Sequence, residues 1–214
     1  LAVRTCREVL AAAGFSPDLV TLCLDSVAEP VGKLLIKHPQ TAIVDFTGSA
    51  RFGAWVEQNA HPASSYTETS GVNTVVLESM DDLESVARSL ATTMNLFSAQ
   101  MCTSPQNIYV PRGGVYVGDR RAGVDEVCDA LVAAFRAVVA EPKRASSILA
   151  AVQSPATLDL LGRLRESGAR RGAILLDSAP YTHPDFPAAR TATPLLLRVA
   201  PDARDLYCEE RFGP

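Results

Sequence analysis

Thr41-Ala42-Ile43-Val44-Asp45-Phe46-Thr47-Gly48-Ser49 is a β-branched, apolar run that ends in a glycine turn, and the segment behind it, Ala50 to Asn59, reads as a helix. A buried strand that hands over to a helix through a small-residue turn is the repeating step of a parallel sheet with crossover helices. Upstream, Val3 to Ala13 carries apolar residues at helical spacing, with Gly14 and Pro17 as the stop. Leu19 to Leu24 is predicted as a short strand and Val31 to Lys37 as a short helix. Downstream, the polar, proline-containing stretch His61-Pro62-Ala63-Ser64-Ser65 marks a boundary between two domains, 1–64 and 65–214. The pattern then restarts. Thr74 to Glu78 is a strand, Asp81 and Asp82 stand where a helix N-terminus favours acids, and Leu83 to Phe97 is a helix that stops before Cys102. Asn107 to Val110 is a strand, Val124 to Val139 and Pro155 to Ser167 are helices, and Ala173 to Leu176 and Leu195 to Val199 are strands. The fold class is α/β.

Composition narrows the function. With 47% hydrophobic and 21% charged residues in 214, the chain has the make-up of a soluble globular protein. Its 20 Lys and Arg are scattered and the net charge is −4, so no basic face for nucleic acid is formed. Apolar runs such as Ala130 to Ala134 and Leu195 to Leu197 fall far short of the roughly 20 residues that span a bilayer. Leu1 leads straight into a helical pattern and does not read as a secretory signal. Five cysteines without a C-x-x-C pair fit neither a disulfide framework nor a zinc knuckle and point to a reducing, cytoplasmic setting. His38, His61 and His183 are far apart and each precedes a proline, so no metal site is expected.

Two side chains could carry chemistry. Cys102 follows a predicted helix and precedes Thr103-Ser104-Pro105, in a turn flanked by Gln100 and Gln106. Such a turn can expose a thiol, although a free cysteine in isolation is more often a small buried hydrophobe. Glu68, in Tyr66-Thr67-Glu68-Thr69-Ser70-Gly71, reads by itself as a solvated acid. Gly48 and Ser49 suit a pyrophosphate, because backbone N–H groups and the helix dipole attract an anion and glycine permits close approach; an ordinary strand-to-helix turn would look the same.

Four strings in order change the weighting: Phe46-Thr47-Gly48-Ser49, Glu68-Thr69-Ser70-Gly71-Val72-Asn73, Leu96 to Thr103 ending Gln100-Met101-Cys102-Thr103, and Glu209-Glu210-Arg211-Phe212-Gly213-Pro214. They resemble the FTGS, ELGGKN, GQxC and EEIFGP segments of the aldehyde dehydrogenase superfamily, and the likeness runs over nearly the whole chain. Glu68 and Cys102 are separated as that family's base and nucleophile are. The wording of Gln100 to Asn107 and of Ser70-Gly71-Val72-Asn73 looks most like the branch associated with phenylacetate catabolism, whose aldehydes arise from opened rings carried on coenzyme A.

The resemblance implies oxidation of an aldehyde to a carboxylate with NAD or NADP, through a thiohemiacetal and a thioester on Cys102. Glu68 would activate the water that cleaves the thioester. Gly48 and Ser49 would hold the pyrophosphate, and Glu210 and Phe212 would meet the nicotinamide ribose and ring. Residues 1–64 would then be the later part of a Rossmann-like coenzyme domain and 65–214 most of a catalytic domain with a mainly parallel sheet. Thr69, Ser70 and Val72 replace the family's leucine, glycine and lysine, and Ala99 replaces the glycine before Gln100. The oxyanion asparagine, the adenosine-side lysine and the subunit-pairing hairpin fall outside the resemblance. The chain is therefore expected to be part of a longer, homo-oligomeric polypeptide and inactive alone. Two alternatives remain open: a coenzyme A-acylating dehydrogenase, against which the carboxylate Glu68 counts, and a non-catalytic protein that keeps the fold.

Overall fold

The computed structural model describes residues 1–26 and 28–214, and the chain divides into two compact units, Leu1–Thr69 and Ser70–Pro214. The division falls beyond residue 64 for a physical reason: the residues next to the expected boundary form a strand of the first unit.

In that unit, helix α1 (Ala2–Ala12) ends as the glycine foresees. Gly14 takes φ +82, which costs a residue without Cβ nothing. That conformation turns the N–H groups of Gly14 and Phe15 back to the carbonyls of Ala11 (3.1 Å) and Leu10 (2.9 Å). The strand expected over Leu19 to Leu24 is not formed. Pro17–Leu19 is a 3-10 turn whose cap, the Ser16 hydroxyl, accepts from the Asp18 N–H, and Leu19, Leu22 and Leu24 are exposed with no strand beside them among the described residues. An apolar run becomes a strand only when a neighbour takes its backbone bonds. After α2 (Gly32–Ile36), β1 (Ile43–Thr47), α3 (Ala50–Asn59) and β2 (Ser64–Glu68) complete a βαβ step. The two strands pair in parallel from Ile43 with Ser64 to Thr47 with Glu68. Val44, Val56 and Ala60 form its small core, with Phe46, Phe52 and Trp55 against them.

The second unit begins with β3 (Asn73–Val76) and β4 (Ser79–Met80). Helix α4 (Leu83–Asn95) starts at Asp82, whose carboxylate accepts from the Ser85 N–H at 3.0 Å. β5 (Pro105–Tyr109) pairs in parallel with β3. β6 (Val115–Val117) is parallel to β4, and β7 (Arg120–Ala122), missed in the sequence, folds back antiparallel on β6. Then follow α5 (Val124–Val139), α6 (Pro142–Ile148), α7 (Pro155–Arg171), β8 (Gly172–Leu176) antiparallel to β9 (Leu196–Val199), and α8 (Arg204–Tyr207). The core is the seam where Leu83, Ala87 and Ala91 of α4 meet Val127, Leu131, Ala134, Phe135 and Val138 of α5. Those spacings of three and four place each set on one helix face. Replacing the cap Asp82 by alanine is expected to cost about 1 kcal/mol, seen as a thermal midpoint lower by about 2–4 °C.

Among the described residues no helix is long and apolar enough to cross a membrane, and no group of three or more His, Cys, Asp or Glu side chains gathers for a metal ion.

Candidate active site

The approach to Cys102 is built from strained backbone. The helix predicted to run to Phe97 stops at Asn95, and Phe97, Ser98 and Ala99 take φ values of 54, 55 and 50. Left-handed backbone costs a residue with a Cβ roughly 1–2 kcal/mol, hence about 3–6 kcal/mol for three. Hydrogen bonds across the fold offset it. The Ser98 hydroxyl, 0% exposed, donates to the Ala150 carbonyl at 2.8 Å and accepts from the Ala150 N–H at 3.1 Å. The Gln100 side chain donates to the Ala151 carbonyl at 3.0 Å and accepts from the Gln153 N–H at 2.9 Å. Four such bonds at about 0.5–1.5 kcal/mol net each are of the size of the strain. Ala99, where the resemblance has glycine, is tolerated because its buried methyl and lower chain entropy recover about what its φ costs.

Beyond this triplet the chain turns, with the Ser104 N–H donating to the Met101 carbonyl at 3.1 Å. Cys102 sits exposed at the turn. Its carbonyl accepts from Asn73 Nδ2 at 2.5 Å, and the same amide nitrogen reaches the Ser104 carbonyl at 3.2 Å. Gly71 lies so close that an added Cβ would stand 3.3 Å from both the Cys102 carbonyl oxygen and Asn73 Oδ1. Exposure alone does not single out this thiol, since Cys6, Cys23 and Cys208 are exposed too. Among the exposed cysteines of the described residues, Cys102 is the one whose backbone carbonyl is held by a side chain, that of Asn73. Cys128 is half-buried, and burial pushes its thiol up from the ordinary value, against a smaller opposing pull from Arg198. A mainly apolar cavity of about 790 Å³, lined by Ile108, Cys128, Leu131, Leu164 and Tyr207 among others, does not include Cys102.

Asn73→Ala is expected to lower stability by about 1–2 kcal/mol, one or two net hydrogen bonds, read from urea unfolding with an unchanged slope. Asn73→Asp should cost at least as much, because it sets a carboxylate against two carbonyl oxygens.

Glu68, Gly48 and Ser49 come together in the first unit. Glu68 ends β2 opposite Thr47, and its carbonyl accepts from the Gly48 N–H at 3.0 Å. The Ser49 hydroxyl caps α3 by accepting from the Phe52 N–H at 3.3 Å. All three residues are exposed, at the carboxyl ends of two parallel strands and the start of a helix, where α/β folds bind anionic ligands. The Phe46 ring fills the space beside Gly48: a Cβ there would stand 2.6 Å from its Cζ.

Glu210 and Phe212 belong to the second unit. Their segment is tied to β5, the strand after Cys102: Gln106 Oε1 accepts from the Arg211 N–H at 2.8 Å, and Asn107 Nδ2 donates to the Tyr207 carbonyl at 2.9 Å. Phe212 is 38% exposed. One carboxylate oxygen of Glu210 is buried with no hydrogen-bond partner, and so is Gln106 Nε2. A buried acceptor left unpaired is costly, and a sugar hydroxyl is the kind of group that would satisfy it. Ser98 was missed as a site-builder in the sequence, while Gln100, Gln106 and Asn107 were noted there only as residues around the cysteine, without their partners.

A model of the aldehyde dehydrogenase family matches residues 1–214. The 1-pyrroline-5-carboxylate dehydrogenase 2 of Bacillus subtilis (strain 168) is 27% identical over 216 residues, covering 97% of this chain and 39% of the relative. The crystal structure of an NAD-dependent aldehyde dehydrogenase from Burkholderia multivorans superposes with a TM-score of 0.90 at 40% identity, over 99% of this chain and 37% of that one. Betaine aldehyde dehydrogenase from Staphylococcus aureus, in complex with NAD+, shares the fold at a TM-score of 0.75 and 19% identity, over 97% and 40% of the two chains. The α/β architecture read from the sequence is thus that of these enzymes. This chain spans about two fifths of the length of the curated relatives it matches.

Proposed function

Because this chain belongs to the aldehyde dehydrogenase family, we propose that it carries the nucleophile, the hydrolytic base and part of the coenzyme site of an NAD(P)-dependent enzyme that oxidises an aldehyde to a carboxylate. The observation that carries the reading is the support of Cys102: an exposed thiol on a backbone fixed by Asn73, in a turn that begins from a left-handed triplet. Such a mount holds a nucleophile in place while leaving its sulfur accessible.

In this mechanism the Cys102 thiolate adds to the aldehyde carbon, and the backbone N–H at Cys102 is available to the oxyanion of the thiohemiacetal. Loss of hydride from that carbon leaves a thioester on Cys102. Glu68 takes a proton from water, which attacks the thioester carbonyl; the carboxylic acid leaves and the thiol is restored. The nicotinamide coenzyme, when bound, supplies the hydride acceptor. On this chain Glu210, with its unpaired oxygen, would take a ribose hydroxyl; Phe212 would lie against the ring, and Gly48 and Ser49 would face the pyrophosphate. The first unit would then be the later part of the coenzyme domain and the second most of the catalytic domain. The NAD dependence of the 40% identical enzyme from Burkholderia multivorans supports NAD as one coenzyme, with NADP as the alternative.

We further propose a substrate from opened aromatic rings, a semialdehyde of phenylacetate catabolism carried on coenzyme A, supported by the residues around Cys102 and Asn73. The enzyme would work as a homo-oligomer in the cytoplasm, where free cysteines persist. The test is product analysis with the full-length protein. Free acid formed with concomitant coenzyme reduction is the expected result; acyl-coenzyme A formed only when coenzyme A is added would assign the acylating branch. No turnover with any aldehyde, or with 1-pyrroline-5-carboxylate, would leave only the fold.

A further inference from the structure

The left-handed triplet before Cys102 is held by a loop that is itself held by a third segment of the chain. Residues 150–153 receive Ser98 and Gln100 through four hydrogen bonds. The same residues are bound by Arg190, 88 positions beyond Cys102 in the sequence. Its guanidinium donates from Nε to the Val152 carbonyl at 3.0 Å and from a terminal nitrogen to the Gln153 carbonyl at 2.7 Å, while its own carbonyl accepts from the Val152 N–H at 2.8 Å. Leu149, Val152 and Ala192 are buried around this junction, so the loop is pinned by packing as well as by polar contacts. No chemistry falls to Arg190 in the proposed reaction.

We infer that Arg190 is a positioning residue for Cys102, acting through residues 150–153 on Ser98 and Gln100. Residues 97–99 adopt a backbone that their sequence resists. Left alone they would relax toward ordinary helical or extended angles and carry Gln100-Met101-Cys102 with them. The brace prevents that only while its far end is fixed. Arg190 meets the requirement because its planar fork can address two successive carbonyls at once, which an ammonium group cannot do as rigidly. The inference rests on the proposed role of Cys102 as nucleophile, but the position of the thiol can be read without any turnover.

The experiment compares Arg190→Ala and Arg190→Lys with the unmodified full-length protein, using iodoacetamide and peptide-resolved mass spectrometry to follow each cysteine separately. Cys6, Cys23 and Cys208 are exposed and serve as internal references. The expected result for Arg190→Ala is a change of about tenfold in the alkylation rate of Cys102 relative to those references. kcat should fall about 10- to 100-fold, as for a misplacement of about 1 Å, at an unchanged KM for coenzyme, with partial recovery in Arg190→Lys. Gln100→Leu cuts the same brace from the opposite end and covers the case in which Arg190→Ala does not fold. Combined with Arg190→Ala, it should cost little more than the worse single change, since both break one connection. Unchanged relative reactivity of Cys102 in folded variants overturns the inference, and so does an equal rise at all cysteines, which would report general loosening. A shift at Cys102 in a protein that oxidises no aldehyde would uphold the brace and remove the proposed function instead.

Discussion

If Cys102 is the nucleophile proposed above, its replacement by alanine in the full-length protein is expected to lower kcat for aldehyde-dependent coenzyme reduction by about 10⁴-fold or more, the scale seen when a covalent nucleophile is removed. The expected effect is large because the proposed mechanism gives the covalent step to this thiol alone. The Asn73 side chain holds the Cys102 carbonyl, while Cys128 is half-buried and burial pushes its thiol up from the ordinary value. Alanine retains the carbonyl that Asn73 binds, so the fold should survive, and a normal thermal midpoint together with normal coenzyme affinity would assign the loss to chemistry. Cys6→Ala, Cys23→Ala and Cys208→Ala serve as controls, in which activity within about twofold of the parent is expected. A Cys102→Ala protein with substantial residual turnover would exclude a thioester on this residue.

The second large effect is expected at Glu68. Glu68→Gln keeps size and hydrogen-bonding capacity but removes the proposed base. Steady-state turnover should slow by about 10²–10⁴-fold, the usual contribution of a positioned base. The loss should be selective. If Glu68 acts on the thioester, the first turnover remains fast and a burst of coenzyme reduction, approaching one equivalent per site, precedes the slow phase. If it acts mainly on the thiol, the burst disappears as well. Gly48 donates to the Glu68 carbonyl through its backbone, so the substitution leaves that strand-end contact in place.

Helices α3 and α5 were legible to the residue, because apolar positions at helical spacing and a defined start, Ser49 or Gly123, leave little choice. Strand β2 was not. Ser64 to Glu68 is polar and follows a proline-containing turn, and only pairing with β1 makes it a strand. Leu19 to Leu24 failed in the opposite sense: it has the composition of a strand without a partner. The antiparallel strand β7, with its two adjacent arginines, likewise gave no alternation to read. The candidate site divides in the same way. Cys102, Glu68, Gly48, Ser49, Glu210 and Phe212 could be named from strings that resemble a family, since local sequence carries them. What holds Cys102 in place could not, because Phe97-Ser98-Ala99 contains no glycine to announce a left-handed turn, and the partners of Ser98 and Gln100 lie some fifty residues away.

The central claim, that a sulfur and a carboxylate share one acyl group between them, is reached most directly by intact-mass and peptide mass spectrometry of full-length Glu68→Gln protein mixed with aldehyde and NAD. A stable adduct of the acyl mass on the peptide containing Cys102, absent without coenzyme and absent in the Cys102→Ala, Glu68→Gln double variant, is the expected result. An unmodified Cys102 in a variant that still reduces coenzyme, or the adduct on another cysteine, would contradict it.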